Sequence, residues 1–211
     1  LQLAGHQVGL ACRDGLFVGQ RQLEKQDAAH WEPGQRLLIN RNVEAAVFEN
    51  DPMSLLTEGL AYDRCQIGIV TDSLPVQGLD EQLMTEPEHR FKILRTQIDV
   101  VLPSGTGVLN ATDAAVLDMA RLCDGDVMLY AADGQHAAIL AHREAGGRAV
   151  FLRGDLLVQA DGHRSVDLID LSALPAPVRT LPADVLLAAV GAAVSMSLDP
   201  DRKSTRLNSS H

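Results

Sequence analysis

Val47-Phe48-Glu49-Asn50, followed at Glu58 by Gly59-Leu60-Ala61-Tyr62-Asp63-Arg64-Cys65-Gln66-Ile67-Gly68-Ile69-Val70-Thr71, is the stretch that decides the fold. An apolar strand over residues 43–48 ends in a carboxylate, a helix over 54–61 follows, and a second apolar strand over 66–70 ends in Thr71-Asp72. The apolar runs are continuous rather than alternating, which suits parallel strands covered on both faces. In open α/β sheets the ligand site lies at the carboxyl ends of the strands. Glu49 is thus expected where the magnesium ion of a bound nucleotide would sit, since magnesium is held by one or two carboxylates together with phosphates and water.

Outward from this stretch, residues 7–11 read as a short strand. Arg13-Asp14-Gly15 turns into Leu16-Phe17-Val18, Asp-Gly between apolar runs being a hairpin signal. Residues 30–40 read as helical or irregular. Downstream, apolar residues from Phe91 through Ile98 recur at helical spacing over 88–102. Pro103-Ser104-Gly105 is expected to end that helix, so that 106–109 forms a strand. Asp113 is placed to cap a helix over 114–122, residues 127–130 form another strand, and a helix over 136–144 stops at Gly146-Gly147. Residues 148–171 read as antiparallel strands with Gly-containing turns, and an apolar helix over 183–196 follows. The alternation predicts an α/β fold, a three-layer α/β sandwich with a mostly parallel sheet plus a small antiparallel β subsheet.

The wording of residues 47–71, and its order with Leu109-Asn110-Ala111 and His142-Arg143-Glu144-Ala145-Gly146-Gly147-Arg148-Ala149-Val150, resembles the Mur-ligase-like carboxy-terminal half of cyanophycin synthetase. Residues 8–18, 91–111 and 122–126 add to the match, so the resemblance covers most of residues 1–198. It implies a Mur-ligase-like central ATP-binding domain, P-loop NTPase-like in fold, over 1–198. It also implies an ATP-dependent amide ligase that joins arginine to the aspartate side chains of a poly-aspartate backbone. The aspartate carboxylate would be activated as an acyl phosphate and attacked by the arginine amine. ATP and Mg2+ would be the cofactors, arginine, aspartate and a cyanophycin primer the substrates, and a cytoplasmic homo-oligomer the full-length form.

The resemblance also assigns site residues. Glu49 is the metal ligand, and Asn110, Asp113 and Arg143 are nucleotide-binding; no catalytic residue is assigned. Asn110 and Asp113 stand in Leu109-Asn110-Ala111-Thr112-Asp113, where the family reads Leu-Asn-Ala-Asp-Asp-Pro near the adenine and ribose. Beside that, Asp113 reads simply as a helix N-cap and Asn110 as a turn residue. Arg143, with His142, matches a family His-Arg-x-x-Gly-Gly run, and a lone helical His is more commonly packed than catalytic.

The chain also departs from the family. Asn50-Asp51-Pro52-Met53-Ser54-Leu55-Leu56-Thr57 stands where the family reads Thr-Ala-Arg-Gly-Gly-Ile-Leu-Arg. Gln77 or Gly78 replaces a family His, Leu94 replaces a Lys, and Ala11-Cys12-Arg13 replaces a Thr run. Loss of one preorganised electrostatic group can cost roughly 2.7–4 kcal/mol in a transition state. No Gly-Lys-Thr or Gly-Lys-Ser loop occurs, so the sequence is expected to be a fragment that lacks its P-loop and third domain and does not turn over ATP alone. A non-catalytic Mur-like module of a larger synthetase, and a Mur-type ligase for another amino acid, stand as alternatives.

Residues 199–211 are expected to be a non-native tail, because 201–211 is what a common sequencing adapter encodes. The net charge of −10 argues against nucleic acid as partner, since phosphate-driven binding needs clustered Lys and Arg. Cys12, Cys65 and Cys123 form no CxxC pair and read as reduced thiols. No apolar run reaches the roughly 18 residues of a membrane span.

Overall fold

The computed structural model describes residues 1–73 and 87–196, which fall into two compact units, Leu1–Asp63 and Arg64–Met196. Gln77 and Gly78 lie outside the described residues.

In the first unit, β1 (Val8–Cys12), β2 (Gly15–Val18), β3 (Arg21–Glu24) and β4 (Ala45–Phe48) form a sheet in the order β3-β2-β1-β4. The Asp14-Gly15 signal marks the β1–β2 hairpin. Cys12 pairs with Gly15, which leaves Arg13 and Asp14 as its two-residue apex, and Gly15 has φ 133°, a value that L side chains rarely adopt. β4 runs parallel to β1, from Val8 opposite Ala45 to Ala11 opposite Phe48. α1 (Trp31–Leu38) packs on β1 and β4, burying Leu37 with Ala11, Leu16 and Ala28. α2 (Pro52–Thr57) begins at an Asp-Pro pair: Asp51 caps it and Pro52 takes the first turn, where its missing N–H leaves no bond unmade.

The expectation that 43–48 and 66–70 share one parallel sheet is corrected here. β4 is the edge strand of the four-stranded sheet, with Val47 exposed. A strand of four residues paired on one side only has little area to bury, despite its continuous apolar run.

In the second unit, the six-stranded sheet contains β5 (Cys65–Val70), β6 (Val101–Asn110), β7 (Asp126–Asp133), β8 (Arg148–Arg153), β9 (Leu156–Asp161) and β10 (Arg164–Asp170), ordered β10-β9-β8-β7-β6-β5. β5 to β8 are mutually parallel, while β9 and β10 continue the same sheet antiparallel. Residues 148–171 therefore extend the main sheet, and the small sheet with antiparallel pairs comes from the first unit.

Successive strand residues point to opposite faces, so each central strand feeds two cores. Leu109, Leu129, Ala149 and Phe151 pack with Leu94 and Ile98 of α3 (Pro87–Asp99), Val116 of α4 (Ala114–Asp118) and Ile139 of α5 (Ala137–Glu144). Val108, Met128, Tyr130 and Val150 face Leu187 and Ala188 of α7 (Ala183–Ser195), which follows the short α6 (Ala176–Arg179). The expected three-layer sandwich is thus realised in this unit. Gly191 admits the close approach of α7, where a Cβ would stand 3.0 Å from Val108.

Pro103 does not precede β6, as expected, but lies within it. β5 pairs Cys65 with Val101 and then Ile67 with Thr106, so the segment around Pro103 bulges out of the ladder, where its missing N–H costs no bond.

Candidate functional site

At the tip of β4, the parallel ladder closes with the Glu49 N–H donating to Ala11 O at 2.9 Å. This sets Glu49 beside the hairpin apex. The Arg13 N–H donates to Glu49 Oε2 at 2.9 Å, and Arg13 Nε lies 3.5 Å from Glu49 Oε1. Arg13 Nη2 donates to Asp51 Oδ1 at 2.6 Å, while Asp51 Oδ2 accepts from the Met53 and Ser54 N–H groups at 2.9 and 3.2 Å. Asp51 first, then Glu49 and Asp27, raise the Arg13 pKa against a lowering by burial. Glu49 and Asp51 line a cleft together with His30, Trp31 and Phe48.

This donor set does not fit a resident magnesium ion on Glu49. Both oxygens of each carboxylate already have a protein partner, and the nearest charged neighbour is a cation. Among the described residues no group of three or more His, Cys, Asp or Glu could hold a metal.

The carboxyl ends of β5 and β6 form a second candidate site. Asn110 Nδ2 donates to Thr71 O at 2.9 Å, and Oδ1 accepts from the Thr112 N–H at 3.0 Å and Oγ1 at 2.8 Å. Asp113 caps α4 through the Ala115 and Val116 N–H groups at 2.9 and 3.1 Å. It also accepts from the Ser73 N–H at 2.7 Å and the Ser73 hydroxyl at 2.8 Å. Burial works to raise the Asp113 pKa, but the bonds from Ser73, Val116 and Ala115 together outweigh it and hold the carboxyl below its ordinary range. Asn110 and Asp113 therefore tie the end of β5 to the end of β6.

Tyr130, paired with Asn110 in the β6–β7 ladder, is fully buried, and its hydroxyl has no hydrogen-bond partner among the described residues. Burial pushes its pKa up, and Asp184, Asp72 and Asp113 push it further.

Arg143, expected with Asn110 and Asp113, is not brought to these strand ends. α5 ends in a Schellman turn: the Gly147 N–H donates to His142 O and the Gly146 N–H to Arg143 O, with Gly146 at φ 87°. The His-Arg-x-x-Gly-Gly wording is the signature of this helix end. It leads into the start of β8, so Arg143 lies by the amino ends of the parallel strands, opposite Asn110. Its Nε donates to Gly162 O at 3.0 Å and its guanidinium lies 5.3 Å from the Phe151 ring centroid. His142 Nε2 lies 3.3 Å from Val127 O, a packed role as expected. Leu94 is buried in the core, and Lys92 is exposed on another face of α3.

Sequence reasoning missed Arg13 and Asp51. The available signals were the Asp-Pro helix start and a hairpin apex immediately after a strand that pairs with β4.

No family model matches the chain. It is similar to curated cyanophycin synthetases. That of Crocosphaera subtropica is 31% identical over 152 residues, which are 71% of this chain and 17% of that protein. Those of Synechocystis sp. and Geminocystis herdmanii are 26% and 24% identical over 81% and 90% of this chain. The chain spans about a fifth of the length of these relatives. Among solved structures, UDP-N-acetylmuramoyl-L-alanyl-D-glutamate–2,6-diaminopimelate ligase matches with a TM-score of 0.59 at 11% identity, over 93% of this chain and 38% of that one, a likeness of fold. With a mixed α/β architecture of this kind and relatives of one name, the chain belongs to the cyanophycin synthetase family as a divergent, Mur-ligase-like member.

Proposed function

We propose that the chain is part of the Mur-ligase-like ATP-binding region of an ATP-dependent amide ligase of the cyanophycin synthetase type. Its reaction joins arginine to aspartate side chains: ATP phosphorylates the carboxylate, and the arginine amine displaces phosphate from the acyl phosphate. The observation that carries this reading is the position of Asn110, in a family-like Leu-Asn-Ala run, at the carboxyl end of a central parallel strand. Asn110 and Asp113 would position the adenosine end of ATP beside Tyr130, and magnesium would arrive as part of the substrate, on the ATP phosphates.

A second reading is a non-catalytic Mur-like module. The structural partners of Glu49 and Arg143, two residues that the resemblance assigns to the metal and the nucleotide, favour it. The test is ATP-dependent incorporation of labelled arginine into an aspartate-bearing primer by the full protein that carries this chain. Incorporation that falls in Asn110→Ala supports the ligase. Absence of incorporation together with absence of ATP binding supports the module.

A further inference from the structure

We infer that Arg13 is a built-in cation, whose guanidinium holds the place beside Glu49 and Asp51 that a divalent metal was expected to fill, so that this sheet edge takes no magnesium. The inference stands apart from the proposed function and takes from the sequence only the expectation of a metal at Glu49.

Three features carry it. The first is placement. The two-residue hairpin turn and the parallel β1–β4 register set Arg13 against Glu49 whatever the side chain does, because the Arg13 backbone N–H is itself one of the donors. The second is saturation. Glu49 Oε1 and Asp51 Oδ1 face the guanidinium, Glu49 Oε2 takes the Arg13 N–H, and Asp51 Oδ2 caps α2. Magnesium needs near-octahedral oxygen ligands at about 2.0–2.1 Å. Binding here would therefore evict the guanidinium and place two positive groups side by side. The third is chemistry. A guanidinium stays charged throughout the physiological range, is weakly hydrated and presents several donors in a fixed fork, which suits it to hold two carboxylates from different elements at once. The Asp51 side chain is 20% exposed and that of Arg13 57%, so the carboxylate is shielded while the guanidinium stays open to solvent. The result is a strand tip whose carboxylates are neutralised and ordered without metal.

The test uses Mn2+ as a spectroscopic substitute for magnesium, titrated into the 211-residue chain without nucleotide and followed by electron paramagnetic resonance. The wild-type and Glu49→Gln proteins are expected to give indistinguishable Mn2+ binding. Arg13→Ala is expected to gain Mn2+ affinity by about fivefold or more, and Arg13→Ala/Glu49→Gln to lose that gain. Wild-type binding that weakens in Glu49→Gln would overturn the inference, as would a folded Arg13→Ala protein with no gain. The wild-type and Glu49→Gln pair decides the matter even if Arg13→Ala does not fold. Since no ATP or arginine enters the measurement, its outcome is separate from that of the ligase assay.

Discussion

Replacing Asp113 by Ala removes a carboxylate that does two jobs. It caps α4 through the Ala115 and Val116 N–H groups and fastens the end of β5 through the Ser73 N–H and hydroxyl. Loss of an N-cap typically costs about 1 kcal/mol. The hydrogen bonds from Ser73 to an ionised acceptor add about 1.5 kcal/mol, near the low end for charged groups because Ser73 can turn to solvent. The expected destabilisation is therefore about 2–3 kcal/mol, read as a lower urea midpoint at unchanged slope. Ser73→Ala, which removes the hydroxyl alone, is expected to lose about 1 kcal/mol or less, with nothing further lost from it in the Asp113→Ala background. The pH dependence gives a second reading. The folded carboxyl is held below its unfolded pKa, so its contribution is fully present above the ordinary carboxylate range and is lost as the pH falls through the folded value. Wild type should thus lose part of its margin over Asp113→Ala on acidification. An Asp113→Ala protein within about 0.5 kcal/mol of wild type at pH 7, or with an unchanged acid response, would refute the latch.

Gly147→Ala would put a methyl group into the His142 ring at the end of α5, and should cost about 1–3 kcal/mol by thermal or urea unfolding; a neutral effect would contradict the packing described there. Arg143→Ala should lower stability by about 1 kcal/mol through loss of the Gly162 bond and the Phe151 contact, and leave ATP affinity of the full protein unchanged. A large loss of ATP affinity without loss of stability would return Arg143 to the nucleotide site.

Much of the local structure is legible in the sequence because it rests on residues with one dominant conformational use. Asp14-Gly15 fixes the hairpin, Asp113 the start of α4, and Gly146-Gly147 the end of α5. What fails is non-local. The apolar run at β4 looks like a central strand, but local composition does not say which strands it pairs with, and it lies at the edge of a separate sheet. Pro103 reads as a boundary because a proline rarely fits a central ladder, and only the bulge between the Val101 and Thr106 pairings makes room for it. The site divides in the same way. Asn110, Asp113 and Arg143 are all assigned by family wording; that wording falls at a strand end for Asn110, at a helix N-cap for Asp113 and at a helix terminus for Arg143. Arg13 was overlooked because its partner carboxylates are 36 and 38 residues away in sequence.

The most direct test of the central claim, that the carboxyl edge of the six-stranded sheet receives the adenosine end of ATP, is hydrogen–deuterium exchange on the full protein with and without ATP. Slowed exchange in peptides spanning 70–73 and 109–116, with none in 142–147, is the predicted result. Protection confined to 142–147, or none in 109–116 under conditions where ATP binds, would contradict it.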